Sequence, residues 1–373
     1  MKILFTFFFL VYIVLNSYIA VRSWQALQSL RKVQIFVLIL IITFSLCFIF
    51  TLLFDSHLPF RVASVVHLIG TTWFTAMIYF VIVLLLFDVV KLTNNFFDFL
   101  PKTGTVNYQN IKIISFFSSI VFVVLILSIA YYNFNNVKIK NLEINLTNSE
   151  SAREINITAV SDLHIGFSVK KNRLKKYIDL INSQNPDVVF LVGDIVDKGL
   201  KPVLDQNMFE DLSKLKSKCG IYAVAGNHEM LGNLHVTKKY LESIGINMLL
   251  DTSVLLDEKI WIVGRKDKTD KTRLKIDDLM KSIDKKYPVI LLDHQPYDLS
   301  ESQKAGVKLH LSGHTHAGQI FPNNLIVSSI YELPHGYLKK GDTHYYVSSG
   351  LGLWGAPFRL CSNSEIVNIK LKY

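Results

Sequence analysis

The amino-acid sequence predicts an α-helical membrane domain of four transmembrane helices followed by an α/β domain, and three observations carry that expectation. Apolar residues crowd into the part of the chain before residue 137; beyond it, short apolar runs alternate with amphipathic helical segments; and several of those runs end in a cluster of Asp, Asn and His. A chain of 373 residues that is 50% hydrophobic, with 25 phenylalanines and a mean hydropathy of +0.31, is too apolar to lie wholly in water. Two solvents are implied, with domains expected at 1–136 and 137–373.

Segments 3–20, 33–54, 68–90 and 113–132 are the expected spans, because crossing a hydrocarbon core of about 30 Å takes about 20 apolar residues. The first alone could be a signal peptide, but it lacks a small-residue cleavage pattern and three further spans follow, which favours an anchor. The loop after the first span carries Arg22, Arg31 and Lys32, and the loop after the third carries Lys91 and Lys102 with Lys112 at its edge. The N-terminus has only Lys2 and the loop after the second span only Arg61. Basic loops face the cytoplasm. The expected protein is therefore multi-pass in the cell membrane with an extracytoplasmic C-terminal domain. The spans hold almost no ionisable side chain, Asp88 lying near an end and His67 at a boundary, which argues against a transport path.

The formal net charge is +10. The lysines are dispersed along helices and not interleaved with aromatics, so attraction to anionic head groups of a lipid bilayer explains the charge better than nucleic acid does. Cys47 lies in a span and Cys219 and Cys361 are isolated, so there is no CxxC motif and no disulfide framework.

Beyond residue 137 the pattern predicts strands at 154–160, 188–192, 221–225, 260–263, 289–292, 308–311, 345–347 and 366–371, with helices at 173–181, 208–215 and 237–244. Short buried strands that end in polar clusters place the site at the strand ends. The clusters are Asp162-Leu163-His164, Gly193-Asp194, Gly226-Asn227-His228-Glu229, Asp293-His294 and Gly313-His314-Thr315-His316. Carboxylate, amide oxygen and imidazole without thiolate suit Mn, Fe or Zn. Glycine beside Asp194, Asn227 and His314 permits sharp turns and close approach. Singly, Asp-x-His reads as a turn or cap; five such clusters in order, each after an apolar strand, are hard to explain as turns.

The series Asp-Leu-His, Gly-Asp, Gly-Asn-His-Glu, His-Gln-Pro and Gly-His-Thr-His-Ala-Gly-Gln resembles the calcineurin-like metallophosphoesterase superfamily over residues 155–373. The later residues Ser348-Ser349-Gly350-Leu351-Gly352, Pro357-Phe358-Arg359-Leu360 and Glu365-Ile366 are similar to its bacterial membrane-associated branch. The resemblance implies a β-sandwich flanked by helices and two divalent metal ions, Mn, Fe, Zn or Co. It puts Asp162, His164, Asp194 and His316 around one ion and Asp194, Asn227, His294 and His314 around the other, with Asp194 shared. It further implies hydrolysis of a phosphodiester, pyrophosphate or phosphomonoester by hydroxide bridging the ions. Asn227 and His228 would contact phosphate, and His228 would protonate the leaving oxygen or else support the ligands. Arg359 would clamp the substrate phosphate or form a surface ion pair. Glu229 reads as a helix N-terminal acid or a ligand support, and Asp197, Asp293 and Gln319 as residues that orient ligands. His310 reads as a packed histidine, while His235, His335 and His344 fall outside the motifs.

In that branch, activities include cleavage of the pyrophosphate in UDP-2,3-diacylglucosamine and hydrolysis of phospholipid. A lipid-linked phosphoester substrate at the bilayer is thus expected, against the alternative that the spans only tether the domain. Other classes stay open: a membrane sensor or transporter with a ligand-binding phosphoesterase-like domain, and a protein phosphatase.

Overall fold

A computed structural model describes residues 2–54, 58–147, 152–197 and 199–373, which separate into two compact units, Met1–Ile129 and Ala130–Tyr373. The first unit is built from α1 (Lys2–Ala26), α2 (Arg31–Phe54), α3 (Phe60–Phe97) and most of α4 (Val106–Asn135). All four are long and apolar enough to cross a membrane. Hydrocarbon offers no partner to a backbone amide, so an apolar segment satisfies itself as a helix.

The helices outrun the expected spans. Hydropathy falls at Lys91, yet α3 continues through Asn94 and Asn95, because helical hydrogen bonding does not require apolar side chains. It stops at Asp98, whose left-handed backbone (φ 48°) turns its N–H onto the Asn94 carbonyl. Where α2 and α3 cross, a Cβ on Gly70 would lie 2.6 Å from Phe48 Cα, so only glycine permits that approach. A polar knot also ties three helices. Asn16 Oδ1 accepts from Ser45 Oγ (2.6 Å) and Trp73 Nε1 (2.8 Å), and its Nδ2 donates to the Tyr12 carbonyl (2.8 Å). Each buried polar atom of Asn16 is thereby satisfied in an apolar setting.

The second unit begins at Ala130, ahead of the boundary expected at 137, because the end of α4 belongs to its core: Phe134 is fully buried and Ala130 accepts from the Arg359 amide. Its strands are β1 (Lys138–Asn145), β2 (Glu154–Val160), β3 (Val188–Val192), β4 (Ile221–Val224), β5 (Ile246–Met248), β6 (Thr252–Leu256), β7 (Ile260–Gly264), β8 (Val289–Leu292), β9 (Leu309–Ser312), β10 (Gly336–Lys340), β11 (Thr343–Val347) and β12 (Glu365–Lys372). They form two mixed six-stranded sheets, ordered β1-β12-β2-β3-β4-β5 and β10-β11-β9-β8-β7-β6. Strands β2 to β5 run parallel, as do β7, β8, β9 and β11.

The sheets face each other across Ile157, Phe190 and Val192 on one side and Ile262, Ile290, Leu309 and Leu311 on the other. This is the β-sandwich. Leu174, Tyr177, Ile178 and Ile181 of α5 (Lys171–Asn182) cover the outer face of the first sheet, and α10 (Ile276–Met280) covers the second. Central strands are buried on both faces, which explains the unbroken apolar runs Val188–Val192 and Val289–Leu292. The strands the sequence does not announce are β1, β5, β6 and β10. Strands β5, β6 and β10 are short and β1 and β10 alternate or stay exposed, since an edge is defended with polar residues and lacks an apolar run.

Phe190→Ala would open a cavity between the sheets at a fully buried ring. It is expected to cost about 3 to 5 kcal/mol, seen as a lower thermal midpoint of the second unit; an unchanged midpoint would contradict closure of the sandwich over this side chain.

Candidate metal centre

Five parallel strands from both sheets deliver their polar clusters to one rim. Asp162 and His164 follow β2, Asp194 follows β3, Asn227 and His228 open α8 (Asn227–Leu231) after β4, His294 follows β8, and His314 and His316 follow β9. Asp162, His164, Asp194, His314 and His316 all have positive φ, between 45° and 70°. Such backbone costs on the order of 1 to 3 kcal/mol at each non-glycine residue and persists only where its surroundings fix it. Here the loops fix one another: the Asp162 amide donates to Gly193 O and the His164 amide to Asp194 O, both at 3.0 Å. Gly193 (φ 79°) is required, because a Cβ there would strike the His294 imidazole.

Two groups of side chains converge. In the first, His316 Nε2 lies 3.3 Å from Asp162 Oδ1 and 3.2 Å from His164 Nε2. In the second, His294 Nε2 lies 3.1 Å from Asp194 Oδ2, with the His314 ring 5.3 Å from that of His294. Each of these trios, Asp162 with His164 and His316 and Asp194 with His294 and His314, could hold a metal ion, and a third grouping of the same kind, His164 with Asp194 and His228, overlaps both. Asp194 stands between them, its Oδ2 also 3.8 Å from His164 Nε2, while its Oδ1 accepts from the His228 amide (2.8 Å).

The electrostatics suit cations. Burial alone would raise the Asp162 carboxyl, yet the imidazoles of His316 and His164 hold it well below its usual range; Asp194 is likewise held down by His294 against its burial. His164 is pushed up to about 10: burial opposes its charge, but Asp162 and Asp197 overcome it. His314 and His316 go the other way, to about 4 and about 3, because burial dominates. His294 Nε2 and Asn227 Oδ1 are buried without a hydrogen bond. Two acceptors left without hydrogen bonds beside two buried carboxylates fit divalent cations of the kind that take mixed nitrogen and oxygen ligands.

A supporting layer orients this set. Asp197 Oδ1 lies 3.1 Å from His228 Nδ1 and 3.7 Å from His164 Nδ1, and His294 Nδ1 is 2.8 Å from the Val192 carbonyl. Glu229 is buried and accepts from the amides of Asp194 (3.0 Å), Val196 (2.8 Å) and Gly226 (2.8 Å), clamping the ends of β3 and β4 together. Burial and the nearby Asp194 carboxylate push its pKa up to about 7, against the Val196 and Gly226 amides.

Other expectations resolve differently. Arg359 is neither on the surface nor open to a phosphate. It is fully buried, and its guanidinium donates to the carbonyls of Gly350 and Gly352 and to Ser362 Oγ. That fork holds a loop against Asp162, whose own carbonyl accepts from the Gly352 amide. Asp293 does not orient His294; Arg265 and Arg273 hold it. Gln319 donates to Trp354 O instead of a ligand. His310 is packed between Ser302 and Ser312, with its pKa lowered to about 4 by burial. His335 meets Glu365 and His344 meets Tyr337, while His235 lies on α9 (Leu234–Ser243), away from the motifs in sequence. Arg265 and Arg273 carry no sequence signal, being 28 and 20 residues from the Asp293 they hold.

Comparison with known proteins agrees with this geometry. The pattern of the calcineurin-like phosphoesterase family matches residues 155–318. An uncharacterized metallophosphoesterase of Helicobacter pylori J99 is 35% identical over 240 residues, 63% of this chain and 64% of that protein. One of Campylobacter jejuni is 32% identical over 67% of this chain and 68% of its own length. A zebrafish (Danio rerio) transmembrane protein with a metallophosphoesterase domain is 30% identical over 60% of this chain and 54% of that protein. The chain thus spans less than two thirds of the length of the Helicobacter relative.

Glu229→Gln replaces one acceptor oxygen by a donor facing backbone amides. It is expected to weaken Mn²⁺ binding about 10- to 100-fold with the fold retained, measured by calorimetry; unchanged affinity would remove the clamp from the centre's support. Because a cation must displace the proton that His164 holds up to a pKa of about 10, binding should release protons and weaken as pH falls. Titration in buffers of different ionisation enthalpy checks the sign.

Proposed function

The chain belongs to the calcineurin-like phosphoesterase family, and from that membership we propose that it is a membrane-anchored, dinuclear-metal phosphoesterase whose substrate is a lipid-bearing phosphodiester, pyrophosphate or phosphomonoester. The observation that carries this reading is the pairing of two ligand trios about Asp194. Asp162, His164, Asp194 and His316 would hold one ion, and Asp194, Asn227, His294 and His314 the other. Two such ions supply Lewis acidity that activates water and neutralises charge on the phosphoryl oxygens.

The protein's own side chains do the rest. Asn227 and His228 stand at the N-terminus of α8, where the Asn227 amide N–H and the His228 imidazole would meet an incoming phosphoryl group. His228 is partly exposed, its side chain 14% accessible, and its Nδ1 is occupied by the Asp197 carbonyl at 2.7 Å. That bond leaves Nε2 to face the substrate and pass a proton to the leaving oxygen. Asp197 keeps the ring in that orientation.

An apolar rim supports a lipid-bearing substrate. Helix α12 (Asn323–Ile330) starts against Gly318, in the loop that carries His314 and His316. It exposes Leu325, Ile326 and Ile330, with Phe321 just before it, and Trp354 is exposed beside Gln319. The four apolar helices and the asymmetry of Lys and Arg in their loops support an anchored protein with this unit outside the cytoplasm.

Full-length protein in detergent is expected to hydrolyse bis-(p-nitrophenyl) phosphate with Mn²⁺, and to lose turnover on chelation and in Asp194→Asn. His228→Ala should retain metal binding but lower kcat by about 10²- to 10⁴-fold. Metal-loaded protein inert toward diesters but active on phosphopeptides would replace this reading by a protein phosphatase.

A further inference from the structure

The first unit contains a cavity of about 420 Å³, lined by the end of α1, the last third of α3, the connection to α4 and the first turns of α4. Its polar wall presents Arg22, Lys91 and Lys112; its apolar wall includes Leu84, Phe87 and Phe116. Among the described residues, no acidic residue lines it. Arg22 is paired with Asp88, which also accepts from Tyr18 Oη (2.6 Å). Lys112 Nζ donates to the Gln25 carbonyl (3.0 Å), a neutral partner, and Lys91 lines the same cavity. Two ammonium groups, an exposed Lys91 and a half-buried Lys112, thus flank a partly apolar cavity that no carboxylate among the described residues lines, an arrangement complementary to an anion.

We propose that this cavity binds the phosphate of an anionic glycerophospholipid. Lys91 and Lys112 take the phosphate oxygens, and the acyl chains run along α3. The source of the phosphate follows from the walls: the cavity lies in helices apolar enough to cross a bilayer, and α3 exposes Leu85, Leu86, Val89 and Val90 beside it. A free phosphate would use the ammonium groups and leave that apolar surface unused. The site is separate from the metal centre and does not rest on the activity proposed above.

The test is retention of lipid by the full-length protein in neutral detergent, read by native mass spectrometry with dioleoyl phosphatidylglycerol, dioleoyl phosphatidylcholine and glycerol 3-phosphate. Phosphatidylglycerol is expected to be preferred over phosphatidylcholine roughly 10- to 30-fold. Lys91→Gln with Lys112→Gln should abolish the preference, Lys91→Glu alone should reduce it without touching a hydrogen bond, and Lys140→Gln, on β1, should leave it intact. Equal retention of the two lipids overturns the proposal, as does a preference that survives both the Gln pair and Lys91→Glu. Displacement of the lipid by glycerol 3-phosphate at equal concentration also overturns it, because the site would then recognise soluble phosphate.

Discussion

The second unit is organised around one unfavourable act, the burial of the Asp162 and Asp194 carboxylates where almost no water reaches them. Isolated carboxylates do not survive burial as anions. These two do because imidazoles stand within about 4 Å and because cations would complete the neutralisation. The left-handed backbone at five ligand positions, the Glu229 clamp and the buried Arg359 all hold those carboxylates and imidazoles where their charges offset one another. The sandwich is the rigid frame against which that tension is kept.

The frame that carries the candidate metal centre was legible in the sequence because its central strands are buried on both faces and end abruptly. Val188–Val192 followed by Gly193-Asp194 leaves little else for the chain to do. What could not be read is whatever depends on distant partners. Arg359 looks like any basic residue until the fold encloses its guanidinium in backbone carbonyls, and Glu229 looks like a helix N-terminal acid until three amides from two loops point at it. Edge strands such as β10, Gly336–Lys340, carry the polar residues that protect an edge and so resemble loops.

The first unit follows a different solvent logic, and the same side chains change meaning there. Asn16 within an apolar run is an anomaly by hydropathy; in the bundle it is the acceptor for Ser45 and Trp73 that joins three helices. Lys91 marks the end of an apolar span, but α3 runs past it, carrying the charge alongside Lys112 at the cavity of this unit. Hydropathy locates the spans. It does not locate the polar contacts that give them a specific partner.

The strand order has a consequence in time. Strand β12 lies between β1 and β2, pairing residue for residue with β1 from Lys138↔Glu365 to Asn145↔Lys372. During synthesis β1 emerges more than two hundred residues before the strand that must separate it from β2, at about 5 to 20 residues per second. For many seconds β1 and β2 are neighbours in sequence that must not become neighbours in space. The exposed, polar character of β1 lets it wait in water until its late partner arrives.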